Sequence, residues 1–152
     1  MFNILVVDDQ AHIRRLYEYT LGKNGYQPYT AENGEEALKL LESTHIDLVI
    51  LDLMMPVMDG YTFLRTMREA GSNIPVLIIT ARDSAEDVRR SFMLGTDDMM
   101  VKPVDDVEMI LRIRALLRRA KISEEKRITV GSTVLIYDSF TLVQNGTEIQ
   151  LP

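Results

Sequence analysis

Five polar residues stand where apolar runs stop. Asp8 and Asp9 follow Phe2 to Val7, Asp52 follows Val49, Ile50 and Leu51, Thr80 closes Ile74 to Ile79, and Lys102 follows Met99 to Val101. An isolated buried carboxylate is expensive, so Asp52 needs something to pair with or to react with. Gathered in one place, the three carboxylates would repel and raise one another's pKa. A hard divalent cation removes that conflict. Oxygen-only ligands suit Mg²⁺, which keeps several waters and favours a phosphate partner. Lys102 adds a point charge that steadies an anion, and Thr80 adds a hydroxyl. Asp52 then has the surroundings of a carboxylate nucleophile in a phosphoryl-handling site. The chain has no Gly-rich phosphate loop and no Walker-type lysine. No nucleotide or other organic cofactor is therefore expected, and the phosphoryl group should come from a donor partner.

The elements that must position these residues are legible from their spacing. Phe2 to Val7 is a continuous apolar run, suited to a strand covered on both faces. Ile13, Leu16, Tyr17, Thr20 and Leu21 then recur with helical spacing, closed by Gly22 and Gly25. Tyr26 to Thr30, Asp47 to Leu51, Ile74 to Thr80 and Met99 to Val101 read as further strands. Helices begin at Asn33, at Asp59-Gly60, at Ser84 and at Asp105, with Asp87 placed to complete a cap with Ser84. Strand and helix alternate, which predicts an α/β fold: a parallel sheet with helices on both faces. For five strands the flavodoxin-like order 2-1-3-4-5 is expected. Its ligand site lies at the C-terminal strand ends, where the order reverses between strands 1 and 3. That edge is where every one of the polar residues falls.

Four motifs carry a resemblance. Leu5-Val-Val-Asp-Asp9, Leu51-Asp-Leu-Met-Met-Pro56 with Asp59-Gly60, Ile79-Thr-Ala81 and Val101-Lys-Pro103 resemble the receiver domain of two-component response regulators, over roughly residues 2–120. Gly95-Thr-Asp-Asp98 and the stretch Glu108 to Arg119 look like the OmpR/PhoB class of transcription regulators. The resemblance implies that Asp52 takes a phosphoryl group from a histidine kinase. It implies that Asp9, Asp52 and the Met54 carbonyl bind Mg²⁺ directly, with Asp8 acting through water. Lys102 would contact the phosphoryl oxygens, aimed by a cis bond to Pro103. Thr80 would move toward the new phosphate, and Met54 and Arg82 would set its lifetime. Met99 stands where the family has a switching aromatic residue, and its flexible side chain makes a softer two-state element. The family's homodimer face, on the fourth helix, fifth strand and fifth helix, maps to Asp97, Asp98, Glu108, Arg112 and Arg119. Val88-Arg89 in reversed order, Val104 and Leu111 suggest that this face is remodelled here.

Each residue also has a plainer reading. Asp8-Asp9 would serve as a helix cap, Thr80 as a strand end bonding its own backbone, and Lys102-Pro103 as a loop. His12 and His45 lie away from the edge, and the nine methionines share no common spacing, so neither set reads as a phosphohistidine or metal site. Two rival functions remain. A pseudo-receiver would bind partners without phosphorylation. A haloacid-dehalogenase-type phosphatase would use an Asp nucleophile, but wants an acid where Met54 stands. The leading reading is a switch that catalyses only its own phosphorylation and dephosphorylation.

The totals agree with that reading. The chain has 152 residues, no cysteine and a net charge of −6, spread over both parts, so no general polyanion-binding surface is expected. No signal peptide or membrane-length apolar run is visible, which points to a cytoplasmic protein. Residues 121–126 read as a short charged linker or as a continuation of the last helix. Residues 127–152 read as an antiparallel β tail: Arg127 to Val130, Thr133 to Tyr137, and a hairpin of Phe140 to Gln144 with Thr147 to Leu151 about Asn145-Gly146. That tail resembles the strands opening a winged-helix effector domain. Without a recognition helix, DNA would be bound only through the missing remainder, and a truncated chain or gene fragment is the simplest expectation.

Overall fold

The computed structural model describes residues 1–133, with side chains as far as Lys121. In chain order the elements are β1 (Asn3–Val7), α1 (Ala11–Lys23), β2 (Gln27–Ala31), α2 (Gly34–Ser43), β3 (Leu48–Leu51), α3 (Gly60–Glu69), β4 (Val76–Thr80), α4 (Ala85–Met93), β5 (Asp98–Val101) and α5 (Asp106–Thr133). The five strands form one sheet in the order β2-β1-β3-β4-β5, and every pairing is parallel. This is the flavodoxin-like arrangement the apolar runs predict.

Strand alternation divides the core into two layers. Ile4, Val6, Ile50, Leu77 and Ile79 pack with Tyr17 and Leu21 of α1 and Met109, Ile113 and Leu116 of α5. Leu5, Val7, Val49, Leu51 and Ile78 pack on the opposite face with Ala37 of α2 and Phe63, Leu64 and Met67 of α3. Four helices start where a side chain caps them, α5 at Asp105, which accepts from the Glu108 N–H at 2.9 Å. Asn33 accepts from the Glu36 N–H at 2.9 Å, Asp59 from Thr62 N–H at 2.8 Å, and Ser84 from Asp87 N–H at 3.0 Å.

Residues Met1–Leu117 make one compact unit, and Arg118–Pro152 are assigned to a second. Of the two readings of 121–126, the structure has the continued helix, and the strand expected over Arg127 to Val130 is helix as well, since α5 continues to Thr133. The physical reason lies in composition. No Gly or Pro occurs between Asp106 and Val130, and Glu124, Glu125, Lys126 and Arg127 are good helix formers. Once a helix is nucleated, each further residue adds a hydrogen bond at little cost. β-branched Ile128, Thr129 and Val130 oppose this by less than about 0.7 kcal/mol each. The expected strand beyond Thr133 and the Asn145-Gly146 hairpin lie outside the described residues.

Candidate functional site

Parallel register carries the polar residues to one edge. Val7 pairs with Leu51, so Asp8 and Asp52 emerge side by side from β1 and β3. Thr80 pairs with Val101, which sets Lys102 beside the end of β4. Asp8, Asp52 and Thr80 are buried, whereas Asp9 is exposed. Asp8, Asp9 and Asp52 each offer a carboxylate oxygen within 4.8 Å of the other two. Lys102 Nζ donates to Asp8 Oδ2 at 2.9 Å and to Asp52 Oδ2 at 3.0 Å. The Met54 N–H donates to Asp52 Oδ1 at 3.3 Å. The Lys102-Pro103 peptide bond is cis.

The backbone around Asp52 is tightly drawn. A Cβ at Gly60 would lie 2.4 Å from the Asp52 carbonyl oxygen and 2.7 Å from Leu53 Cα, so only glycine fits. The Gly60 N–H donates to Leu53 O at 3.0 Å, folding the β3–α3 loop back under the site. In that loop Val57 holds φ 71°, a left-handed conformation that a β-branched residue rarely takes. A cleft of about 550 Å³ opens above, lined by Asp9, Asp52, Thr80, Lys102, Arg82 and the loop Leu53 to Pro56.

Burial pushes the Asp8 carboxyl above the usual carboxylate range, against the pull of the Gln10 N–H and Lys102. Burial works the other way on the Lys102 ammonium. Its bonds to Asp8 and Asp52 outweigh that effect and hold its pKa above the usual lysine value. Three carboxylates against one ammonium leave a charge of −2 at the cleft floor. The donor set is all oxygen, and that charge matches a hard divalent cation. The residues therefore fit Mg²⁺.

In the cleft wall, Tyr61 and Arg82 belong to a network that sequence reasoning missed. Tyr61 is buried at the start of α3, and its hydroxyl donates to Asp87 Oδ1 at 2.5 Å. The same carboxylate accepts from Ser84 Oγ at 2.7 Å and pairs with Arg82 at 3.2 Å. Arg90 stacks over the Tyr61 ring at 3.9 Å. The sequence showed Asp87 as a cap partner of Ser84, which it is. Nothing local signals Tyr61, twenty-six residues away.

Four of the five residues expected on the dimer face have partners within the chain. Asp98 pairs with Arg112 at 2.9 Å, and Arg112 pairs with Glu108 at 2.9 Å. Asp97 Oδ2 accepts from Arg68 at 3.0 Å and from the Val76 N–H at 2.8 Å. Arg119 is exposed. Met99 is half-buried and packs against the core layer beneath α3. Among the described residues, no helix is long and apolar enough to cross a membrane.

Comparison with known proteins gives one consistent result. The family model of the response regulator receiver domain matches residues 4–114. The heme response regulator HssR of Staphylococcus aureus (strain bovine RF122 / ET3-1) is 38% identical over 152 residues, spanning all of this chain and 67% of its own length. The receiver domain of the Francisella response regulator 1452 superposes with a TM-score of 0.76 at 33% identity, over 79% of this chain and 99% of that one. The Vibrio cholerae chemotaxis protein CheY4 gives 0.73 at 30% identity, over 76% and 98%.

Proposed function

The chain belongs to the response regulator receiver family of two-component signalling, and from that premise we propose that Asp52 is its phosphoacceptor, charged by a histidine kinase in a Mg²⁺-dependent transfer. The observation that carries this reading is the floor of the cleft, where a buried Asp52 carboxylate lies against Lys102 with Asp8 and Asp9 within 4.8 Å. An Asp52 oxygen attacks the phosphorus of a phosphohistidine. The O–P bond forms as the N–P bond breaks, and the electron pair leaves on the imidazole nitrogen. Lys102 sits where it can neutralise the incoming phosphoryl oxygens without leaving Asp52. Asp9, Asp52 and the Met54 carbonyl would hold Mg²⁺, with Asp8 acting through water. The ion supplies positive charge to the transferring group. Thr80, buried beneath the cleft with its hydroxyl accepting from the Arg82 N–H at 3.3 Å, is the group that turns toward the phosphate.

The chain then acts as a switch and turns over no substrate but its own aspartyl phosphate. We assign its output to a DNA-binding transcription regulator of the OmpR/PhoB class, on the resemblance of Gly95-Thr-Asp-Asp98 and of Glu108 to Arg119, and its place to the cytoplasm. Exposed Phe92, Val101, Val107 and Leu111 support a homodimer through α4, β5 and α5.

Acetyl phosphate and Mg²⁺ test the central claim by intact mass. One phosphoryl adduct is expected, absent from Asp52→Asn and absent when Mg²⁺ is chelated. A folded protein that takes no adduct would remove the phosphoacceptor reading and leave the binding-module rival in front. Turnover of a generic phosphomonoester would favour the phosphatase.

A further inference from the structure

Among the described residues two cations line the cleft, and of these only Lys102 is tied to its acids. Arg82 is the other. Its guanidinium is half-exposed and leans away to pair with Asp87 Oδ1 at 3.2 Å, while its backbone N–H is bonded to the Thr80 hydroxyl. Asp87 does not depend on it. The Tyr61 hydroxyl donates to Oδ1 and the Ser84 hydroxyl to Oδ2, and both are neutral donors that stay in place whatever Arg82 does. Tyr61 is itself fixed, buried at the start of α3 with Arg90 across its ring.

We infer that Arg82 is a positioning residue shared between two anions, held by Asp87 while Asp52 is bare and exchanged to the phosphoryl group once Asp52 carries one. The inference rests on the receiver reading and deepens it. A phosphoryl group brings more negative charge than Asp87 offers, about −1.5 to −2. Asp87 gives up one of three partners and keeps two. Movement of Thr80 toward the same group breaks the hydroxyl's bond to the Arg82 N–H, so side chain and backbone are released together. The first turn of α4 then loses the Arg82 tie to the β4–α4 loop and keeps only that of Ser84. This route runs from the cleft to α4 without passing through Met99.

Asp87 is thus a competitor for Arg82, and Tyr61 sets how strongly it competes. Beryllofluoride in saturating Mg²⁺ is the probe. Its midpoint is read from the Thr80 amide resonance in the full chain. Asp87→Asn, which keeps a hydrogen-bonding group of the same shape, should release Arg82 and tighten binding by about 2- to 5-fold, the usual strength of an exposed ion pair. Tyr61→Phe leaves Asp87 leaning harder on Arg82 and should weaken binding. Both effects should vanish in an Arg82→Ala background. Equal effects with and without Arg82, or weaker binding by Asp87→Asn, would overturn the exchange and leave Asp87 a helix cap alone. Failure of the wild-type chain to bind beryllofluoride would instead remove the receiver reading itself, and this inference with it.

Discussion

Tyr17 shows what burial beside a charged cleft does to a single residue. Its ring is 2% exposed, and burial raises the hydroxyl's pKa to about 12, with Lys102 pulling weakly against that and Asp8 and Asp52 adding to it. The folded pKa lies above the unfolded one of 10.0. The stability this contributes is therefore complete below pH 10 and lost as pH climbs toward the folded value. The loss should total about 2–3 kcal/mol. Tyr17→Phe keeps the ring in the core and should remove that part of the alkaline slope. Urea midpoints for both proteins between pH 9 and about pH 12 check it; equal slopes would show that the hydroxyl stays solvated. The same scale shows what the sequence could reveal. Asp8, Asp9, Asp52, Thr80 and Lys102 were legible because each interrupts an apolar run, a signal visible within a few residues. The grip of Tyr61 on Asp87 was not, because it is made by α3 packing near α4 and leaves no local pattern. Gly60 was legible as part of a turn, but the approach of Asp52's own carbonyl, which excludes a Cβ there, is tertiary.

At the scale of elements, Arg68 joins ends that the sheet alone does not hold. From α3 it donates to Ser72 O and Ile74 O before β4, twice to Gly95 O after α4, and to Asp97 before β5. Burial lowers its pKa, and Asp97 only partly restores it, so the site holds the charge at a cost and gains five directed bonds. A lysine cannot reproduce the planar fork. Arg68→Lys should cost about 1–3 kcal/mol, because carbonyls near the buried strand start lose their donors. The urea midpoint should fall with an unchanged slope, and a midpoint within error of wild type would assign those carbonyls to water. Element types and strand order were readable because β1, β3 and β4 are apolar runs and every connection is short, which leaves few parallel topologies. The end of α5 was misread for a physical reason. Ile128-Thr129-Val130 has strand propensity, yet it follows four strong helix formers with no breaker between, and helix propagation outweighs a weak local preference.

Over the molecule as a whole, the sheet converts its own construction into a charge problem. Buried parallel strands leave polar residues no place but their ends. Register then stacks three acids against one lysine, in a chain already carrying −6 overall. That edge is a place where folding is opposed. Asp8 is ionised only against its own burial, and Lys102 cannot neutralise three partners. A divalent cation binding the folded chain and not the unfolded one should therefore stabilise it by mass action, by about 1.4 kcal/mol at ten times its Kd. The expected reading is a rise of a few degrees in Tm with Mg²⁺ over chelator at matched ionic strength. Asp9 is the variant that isolates the site, since it is exposed and its loss leaves both core layers intact. Asp9→Ala should abolish the Mg²⁺-dependent rise while keeping the metal-free Tm near or above wild type, because one repelling charge is gone. If the rise survives Asp9→Ala, or appears equally with a monovalent salt, then Mg²⁺ acts by screening the acidic surface. The three carboxylates would in that case be a cost the fold carries with no ion to relieve it.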